Sequence, residues 1–527
     1  MTSRVRRLLF AGFALVAVAI AFLFWPTVAV RPAAIATSRS TVQRTQPVAH
    51  SAPAFTPDQL NQFLLDARQA EAIPDPLQRC LSYPDPPGLA WSKDVTDAYC
   101  HYELDPWVTA AEARQLIQDG HAAELDKRLA EAMAAQSSKP GIQGALDRTF
   151  INDFKDGSEE TRALMDAWKR QRPNSAFALA ASGTAYVEMA QRIRGSAYAS
   201  NTPQDSLRSM SRLLESARTD LDQAVGIDPK LTPAYAAMIY ASALEGDANY
   251  ASSAAKRGLA ADPANFTIYA RMVWMLQPKW GGSVAGMQAV IAMAQRHAAA
   301  NPLLKLLLSE NTGGEEYVEN CPCNPATEFD LYRQIYAEPA PIGMLTSGGW
   351  AARKRNSPAL SVIYRSQVVR FYPSKIDQRE SRGFDLPMLG QGEWAVAEGS
   401  ALIALTPQNE NAYDVRGQGY QATGDLTHAT ADYEQALRIN PSDTWTLARL
   451  GDIYVQSNHD WDKGWAVANR LIQASPDTSD GWLLRATIQK NQPRDGLDQT
   501  ISDFVTRFGG DPAQQADVAR MRALRAR

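Results

Sequence analysis

Residues 410–443 read ENAYDVRGQGYQATGDLTHATADYEQALRINPSD, and the fold follows from the spacing of small, aromatic and breaking residues in this stretch. Tyr413, Gly417 and Tyr420 recur at three- and four-residue steps, as do Ala429, Tyr433 and Ala436 with Leu437 beside them. Each set therefore lies along one face of a helix. Gly424-Asp425 ends the first helix and starts the turn into the second. Gly417 and Ala429 are small where two antiparallel helices cross closely, and the tyrosines fill the wedge between them. Pro441 follows the last turn, where a missing N–H costs nothing. One such hairpin cannot bury its own apolar face and needs neighbours.

The spacing is that of a tetratricopeptide repeat, and the pattern extends both ways. Upstream, Gly183 and Tyr186 match a first helix, and Ala217, Leu221, Ala224 and Pro229 a second. Ala217 follows Tyr186 by 31 residues where Ala429 follows Tyr420 by 9, so about 22 residues are inserted near 191–212. Pro263 lies 34 residues after Pro229, and Pro302 a further 39, with the excess near QPKWGGS. Downstream, Leu450, Gly451, Tyr454 and Pro476 continue the pattern with one extra residue near His459. Trp482, Leu483 and Ala486 open a last hairpin before an arginine-rich cap. The expected fold is an all-α solenoid with an irregular N-terminal portion.

Arg4, Arg6 and Arg7 precede an uncharged apolar run, Leu8 to Trp25. Eighteen helical residues at about 1.5 Å each span roughly 27 Å, close to a bilayer's hydrocarbon core. The arginines are expected to stay cytoplasmic, leaving the remainder outside. An uncleaved anchor is the preferred reading over a signal peptide cut near Thr27-Val28-Ala29; export follows either way. The expected divisions are the anchor (1–30), a tether rich in Pro, Ala, Ser and Thr (31–57), an irregular helical region (58–145), repeats with insertions (146–302), degenerate repeats (303–405) and C-terminal repeats with a cap (406–527). In the first helix, after Pro57, Asp58 is the expected cap. The link EPAPIGMLTSGGW, 338–350, is expected to separate helices.

Four cysteines, Cys80, Cys100, Cys321 and Cys323, allow three pairings. Cys80 and Cys100 bracket a loop with prolines at 84, 86 and 87, where a disulfide would substitute for regular structure. Cys321-Pro322-Cys323 suits either a structural bridge or a reducible one. Zinc held by these cysteines and His101 lacks paired CxxC knuckles. There is no GxSxG, HExxH or P-loop, and Gly390-Gln391-Gly392 lacks the third glycine of a dinucleotide loop. No cofactor is expected. A net charge of −4 argues against nucleic acid as a partner.

The stretches RGSAYASNTP (194–203), LDQAVGIDP (221–229) and QPKWGGS (277–283) carry a resemblance to a bacterial family of tetratricopeptide proteins built around an uncharacterised domain. The resemblance covers roughly residues 60–310. It implies a helical-repeat fold and an interaction role, and supplies no catalytic residue.

Insertions in repeat proteins often carry the binding face. The binding candidates are therefore Arg192, Arg194, Tyr198, Asn201 and Thr202 in the first insertion, and Lys279 and Trp280 in the second. The inner face of the reference repeat is expected to show Asn411, Asp414, Gln418 and Gln421, an acidic and amide set unsuited to a carboxylate. The basic run Arg353-Lys354-Arg355 beside Trp350 is read as a solvated helix end. These features favour a membrane-anchored, periplasm-facing scaffold for a protein or peptide partner in the bacterial inner membrane. The alternative is an enzyme or thiol oxidoreductase with a pocket formed by the insertions and the Cys321/Cys323 pair.

Overall fold

The computed structural model describes residues 54–138, 141–195, 201–492 and 494–525. Among these, regular structure is helical and no strand occurs. The expected anchor, most of the tether and Tyr198 lie outside the described residues. No helix among those described is long and apolar enough to cross a membrane. The chain divides into two compact units: unit 1 runs to Ala351 and includes Arg370–Pro373, and unit 2 comprises Ala352–Val369 and Ser374–Arg527.

Unit 1 opens with α1 (Pro57–Glu71). Its cap is Thr56, two residues before Asp58: the Thr56 hydroxyl accepts from the Gln59 N–H while the Gln59 side chain accepts from the Thr56 N–H. This reciprocal box satisfies two orphan donors, and Asp58 instead complements the first-turn dipole. Cys80 and Cys100 sit on α2 (Pro76–Ser82) and α3 (Lys93–Leu104), so the irregular part between them is shorter than expected. Then follow α4 (Ala110–Gln118), α5 (Ala122–Ser138), α6 (Ala145–Asp153) and α7 (Glu159–Gln171).

Three hairpins come next: α8 (Ala176–Arg194) with α9 (Gln204–Ile227), α10 (Thr232–Glu245) with α11 (Ala248–Ala261), and α12 (Phe266–Met275) with α13 (Val284–Gln295). The first helices α8, α10 and α12 pack side by side, which is how a helical solenoid shares one core among hairpins. Gly183 permits the α8–α9 crossing, since a Cβ there would lie 2.5 Å from Leu221 Cγ. The unit continues through a 3₁₀ stretch, Pro302–Thr312, then α14 (Glu315–Asn320), α15 (Pro325–Ile335) and α16 (Ile342–Lys354). The expected link at 338–350 is thus mostly helix. Its glycines are not breakers: Gly348 and Gly349 are buried, and a Cβ on Gly343 would collide with the Glu315 carboxylate.

In unit 2, α17 (Pro358–Phe371) is followed by α18 (Ile376–Asp385) with α19 (Gly392–Leu405), α20 (Glu410–Thr423) with α21 (Leu426–Ile439), α22 (Thr444–Asp452) with α23 (Trp461–Ala474), α24 (Asp480–Asn491) with α25 (Leu497–Phe508), and α26 (Gln515–Ala523). The reference hairpin is α20–α21. Ala429, Tyr433 and Ala436 are fully buried, and a Cβ on Gly417 would lie 2.9 Å from Tyr433. The extra residue near His459 is absorbed by a π turn at Ile453–Ser457 and a positive φ of 53° at His459, a common way to accommodate one inserted residue.

A recurring device joins consecutive hairpins. Tyr235 donates to the Pro229 carbonyl at 3.0 Å, Tyr413 to Pro407 at 3.2 Å, and Trp482 to Pro476 at 3.1 Å. In each case an aromatic six residues after the closing proline ties the next helix to the previous repeat. The prolines therefore act as acceptors as well as helix stops.

Candidate functional site

The inserted residues near 191–212 lengthen two helices more than they form a loop: α8 has 19 residues and α9 has 24, against 14 each in α20 and α21. This extension carries Arg194 to the second departure, where its guanidinium lies 5.2 Å from the Trp280 ring centre. A ladder continues from there. Trp280 and Trp274 are 4.8 Å apart, Trp274 and Tyr240 are 5.2 Å apart, and Arg271 covers Tyr240 at 4.3 Å. Glu188 of α8 joins it: burial pushes its carboxyl up, opposed by Arg271 and Lys155. Tyr240 is pushed up to about 12, by burial first and then by Glu188. The structure thus brings Arg194 and Trp280 together. Arg192 instead pairs with Asp156 at 3.3 Å; Asn201 is exposed and Thr202 buried.

Lys279 acts electrostatically on a buried acidic group. Glu310 is pushed up to about 8, first by burial and then by Glu315, against the opposing pull of Lys279 and Gln277. Burial also raises Glu315. Three buried polar atoms here lack a protein partner: Trp280 Nε1, Gln277 Oε1 and Glu310 Oε2.

The raised Glu310 has a stability consequence. Below the ordinary carboxyl range it is protonated in both folded and unfolded chains, and its contribution is fully present. Between that range and pH 8 only the unfolded chain ionises, so stability falls as pH rises. Glu310→Gln should therefore make the stability of unit 1 decline less steeply from pH 5 to 8, by at most about 1.4 kcal/mol per pH unit. Denaturant melts at a series of pH values measure this; an unchanged slope would contradict the buried, neutral carboxyl.

Cys80 is paired with Cys100 and Cys321 with Cys323, and no free cysteine remains among the described residues. A sulfur in a disulfide is not a thiolate ligand, so the zinc arrangement with His101 is not formed. A separate hollow of about 490 Å³ in unit 1 is lined by His101, Trp107, Gln143 and Arg148 among others. Two of its polar groups are spent on backbone: Gln143 donates to the Ala300 carbonyl at 3.3 Å and Arg148 to that of Glu103 at 2.7 Å.

Unit 2 has its own groove, about 290 Å³, lined by Arg353, Asn356, Phe384, Asp385, Met388, Gln418, Trp445 and Arg449 among others. Of the four expected inner-face residues only Gln418 lies there. Asp414 is 1% exposed and accepts from the Thr446 hydroxyl at 2.8 Å; Gln421 accepts from Tyr433, and Asn411 donates to Glu380. Asp414 is thus withdrawn from the inner face, and Gln418 shares this groove with two arginines. Arg353, read from sequence as part of a solvated helix end, is one of them.

These features define an all-helical protein of tetratricopeptide-like hairpins. Residues 109–252 match the model of a family described as a domain of unknown function, DUF4034. No curated protein matches the chain. Among solved structures it is similar to the crystal structure of the TPR domain of P58(IPK), at 12% identity over 72% of this chain and 96% of that chain, with a TM-score of 0.21. That likeness is too slight to argue from, so the repeat reading rests on the hairpins themselves.

Proposed function

We propose that this protein is a membrane-anchored, periplasm-facing scaffold of the bacterial cell envelope that holds a protein partner against the first helices of its hairpins. A helical-repeat architecture is suited to protein–protein interaction because it presents an extended face without needing a catalytic site. The observation that carries the proposal is the convergence of two separate departures from the repeat, Arg194 and Trp280, on one half-buried aromatic and charged ladder. Arginine and aromatic side chains dominate binding energy where they are presented together. The basic, then apolar, N-terminus and the two disulfides support an exported location.

The test is affinity purification of the full chain from detergent-solubilised envelope. A discrete partner should be recovered, and Trp280→Ala should lower recovery by about tenfold, the scale of a buried anchor. Recovery of no partner, or recovery indifferent to Trp280→Ala, contradicts the proposal. Alkaline phosphatase fused after residue 527 should be active if the body is periplasmic; inactivity there contradicts the location. The thiol-oxidoreductase alternative is carried by the Cys321–Cys323 pairing. Thiol trapping separates it: resistance of that pair to reduction in the native protein removes it.

A further inference from the structure

From the groove of unit 2 we infer that the partner segment held there is an acidic peptide in extended form, with a carboxylate side chain beside an apolar one. This rests on the scaffold reading and specifies the chemistry of what is held.

The inference starts from two cations that the fold leaves unmatched. Arg353 and Arg449 are both exposed, and neither forms an ion pair among the described residues. Each is instead laid on a ring: Arg353 lies 5.8 Å from the centre of Phe384, and Arg449 lies 5.5 Å from that of Trp445. The two rings meet edge to face at 5.4 Å. A row Arg353–Phe384–Trp445–Arg449 results, with a guanidinium at each end and aromatic surface between. A guanidinium held over a ring has already lost much of its rotamer freedom and keeps its donor fork for a carboxylate.

The neighbouring acids do not neutralise the pair. Asp385 is 4% exposed, accepts from the Ser361 hydroxyl at 2.6 Å and faces Arg365. Asp452 follows Arg449 by three residues and acts on it without forming an ion pair. Lys354 and Arg355 add positive charge at the same helix end.

The remaining lining supplies the other two requirements of an extended peptide. Gln418 Oε1 is buried without a hydrogen-bond donor, and a peptide N–H laid along α20 would satisfy it. Met388 is 58% exposed at the rim, and with Trp445 and Phe384 it offers an apolar contact that adapts to different side chains. A free inorganic anion would use the arginines alone, whereas a peptide uses all three features.

Fluorescence anisotropy with the full chain in detergent tests this. The probe is a labelled twelve-residue peptide alternating Glu with Leu and Phe, compared with the same peptide carrying Gln for every Glu. The Glu peptide should bind at least about tenfold tighter than the Gln peptide, with the gap closing at high salt. The double variant Arg353→Gln/Arg449→Gln should erase that preference, and Trp445→Ala should weaken both peptides. Circular dichroism establishes that each variant is folded; Arg449→Lys, which keeps charge but loses the fork, should fall between. Equal binding of the two peptides, binding unchanged in the double variant, absence of binding, or Arg-dependent capture of phosphatidylglycerol vesicles in place of peptide each overturns the inference. Loss of the envelope partner on Trp280→Ala reads the scaffold proposal separately, so failure of one experiment is distinguishable from failure of the other.

Discussion

Replacing Glu398 by alanine is expected to destabilise unit 2 by about 3–5 kcal/mol, the cost of leaving a buried charge uncompensated. Glu398 is 3% exposed and Arg382 is 0% exposed. The carboxylate accepts from Arg379 Nε at 2.8 Å and pairs with Arg382 at 3.1 Å, while the Arg382 guanidinium lies 5.0 Å from the Trp394 ring centre. Burial favours the neutral acid, but the two arginines outweigh it and hold the carboxyl below its ordinary range. A depressed carboxyl contributes stability above the unfolded-state pKa and loses it as pH falls through the folded value. The alanine variant should thus differ most from the parent at neutral pH and least in acid. Chemical denaturation of unit 2 at pH 7 and at pH 3 measures this. A loss below about 1 kcal/mol at pH 7 would show that the arginines find other partners or water.

The second large effect concerns the Cys80–Cys100 bridge. Serine at both positions should lower the stability of unit 1 by about 3 kcal/mol, the chain-entropy value for closing a loop of this size, here 20 residues. The bridged stretch has little regular structure between α2 and α3, yet it is held by distant groups. Tyr332 donates to the Pro87 carbonyl at 3.1 Å, the Trp91 indole to that of Tyr336 at 3.0 Å, and Arg370 to that of Cys80 at 3.0 Å. Opening the bridge leaves each of these contacts to order the loop unaided. Limited proteolysis of the double variant should cut first between Tyr83 and Trp91, and reductant should reproduce the effect in the parent protein. Equal melting of the two proteins would mean that the carbonyl contacts suffice.

The hairpin at 410–443 was legible because every signal agreed: small residues at the crossing, aromatics at the wedge, glycine at the turn and proline at the end. Legibility failed where one residue type serves two purposes. Gly343, Gly348 and Gly349 look like a linker, but they are the contact surface of α16. Asp414 looks like an exposed acid, but Thr446, two helices along, takes it out of the groove. Proline spacing gives the repeat length, but it does not mark the aromatic six residues further on that makes the proline carbonyl an acceptor.

The candidate sites were half legible for a related reason. Arg194 and Trp280 stand out because they interrupt the repeat. Glu188, Tyr240, Arg271 and Trp274 lie within regular helices and look like ordinary surface positions until those helices are set side by side. The groove of unit 2 draws on residues from 353 to 449, and no local spacing links Arg353 to Trp445. A useful signal was available even so: arginine or aromatic residues on first helices, at positions the packing pattern leaves unused.

The central claim, that the first-helix faces hold a protein partner, is tested most directly by photocrosslinking in living cells. A benzophenone amino acid is placed at Trp280 or Gln418, and at Leu65 as an exposed control, 52% accessible on α1. Discrete protein adducts from 280 or 418, absent from 65, are the predicted result. No adduct at either position, or the same adducts at all three, would contradict it.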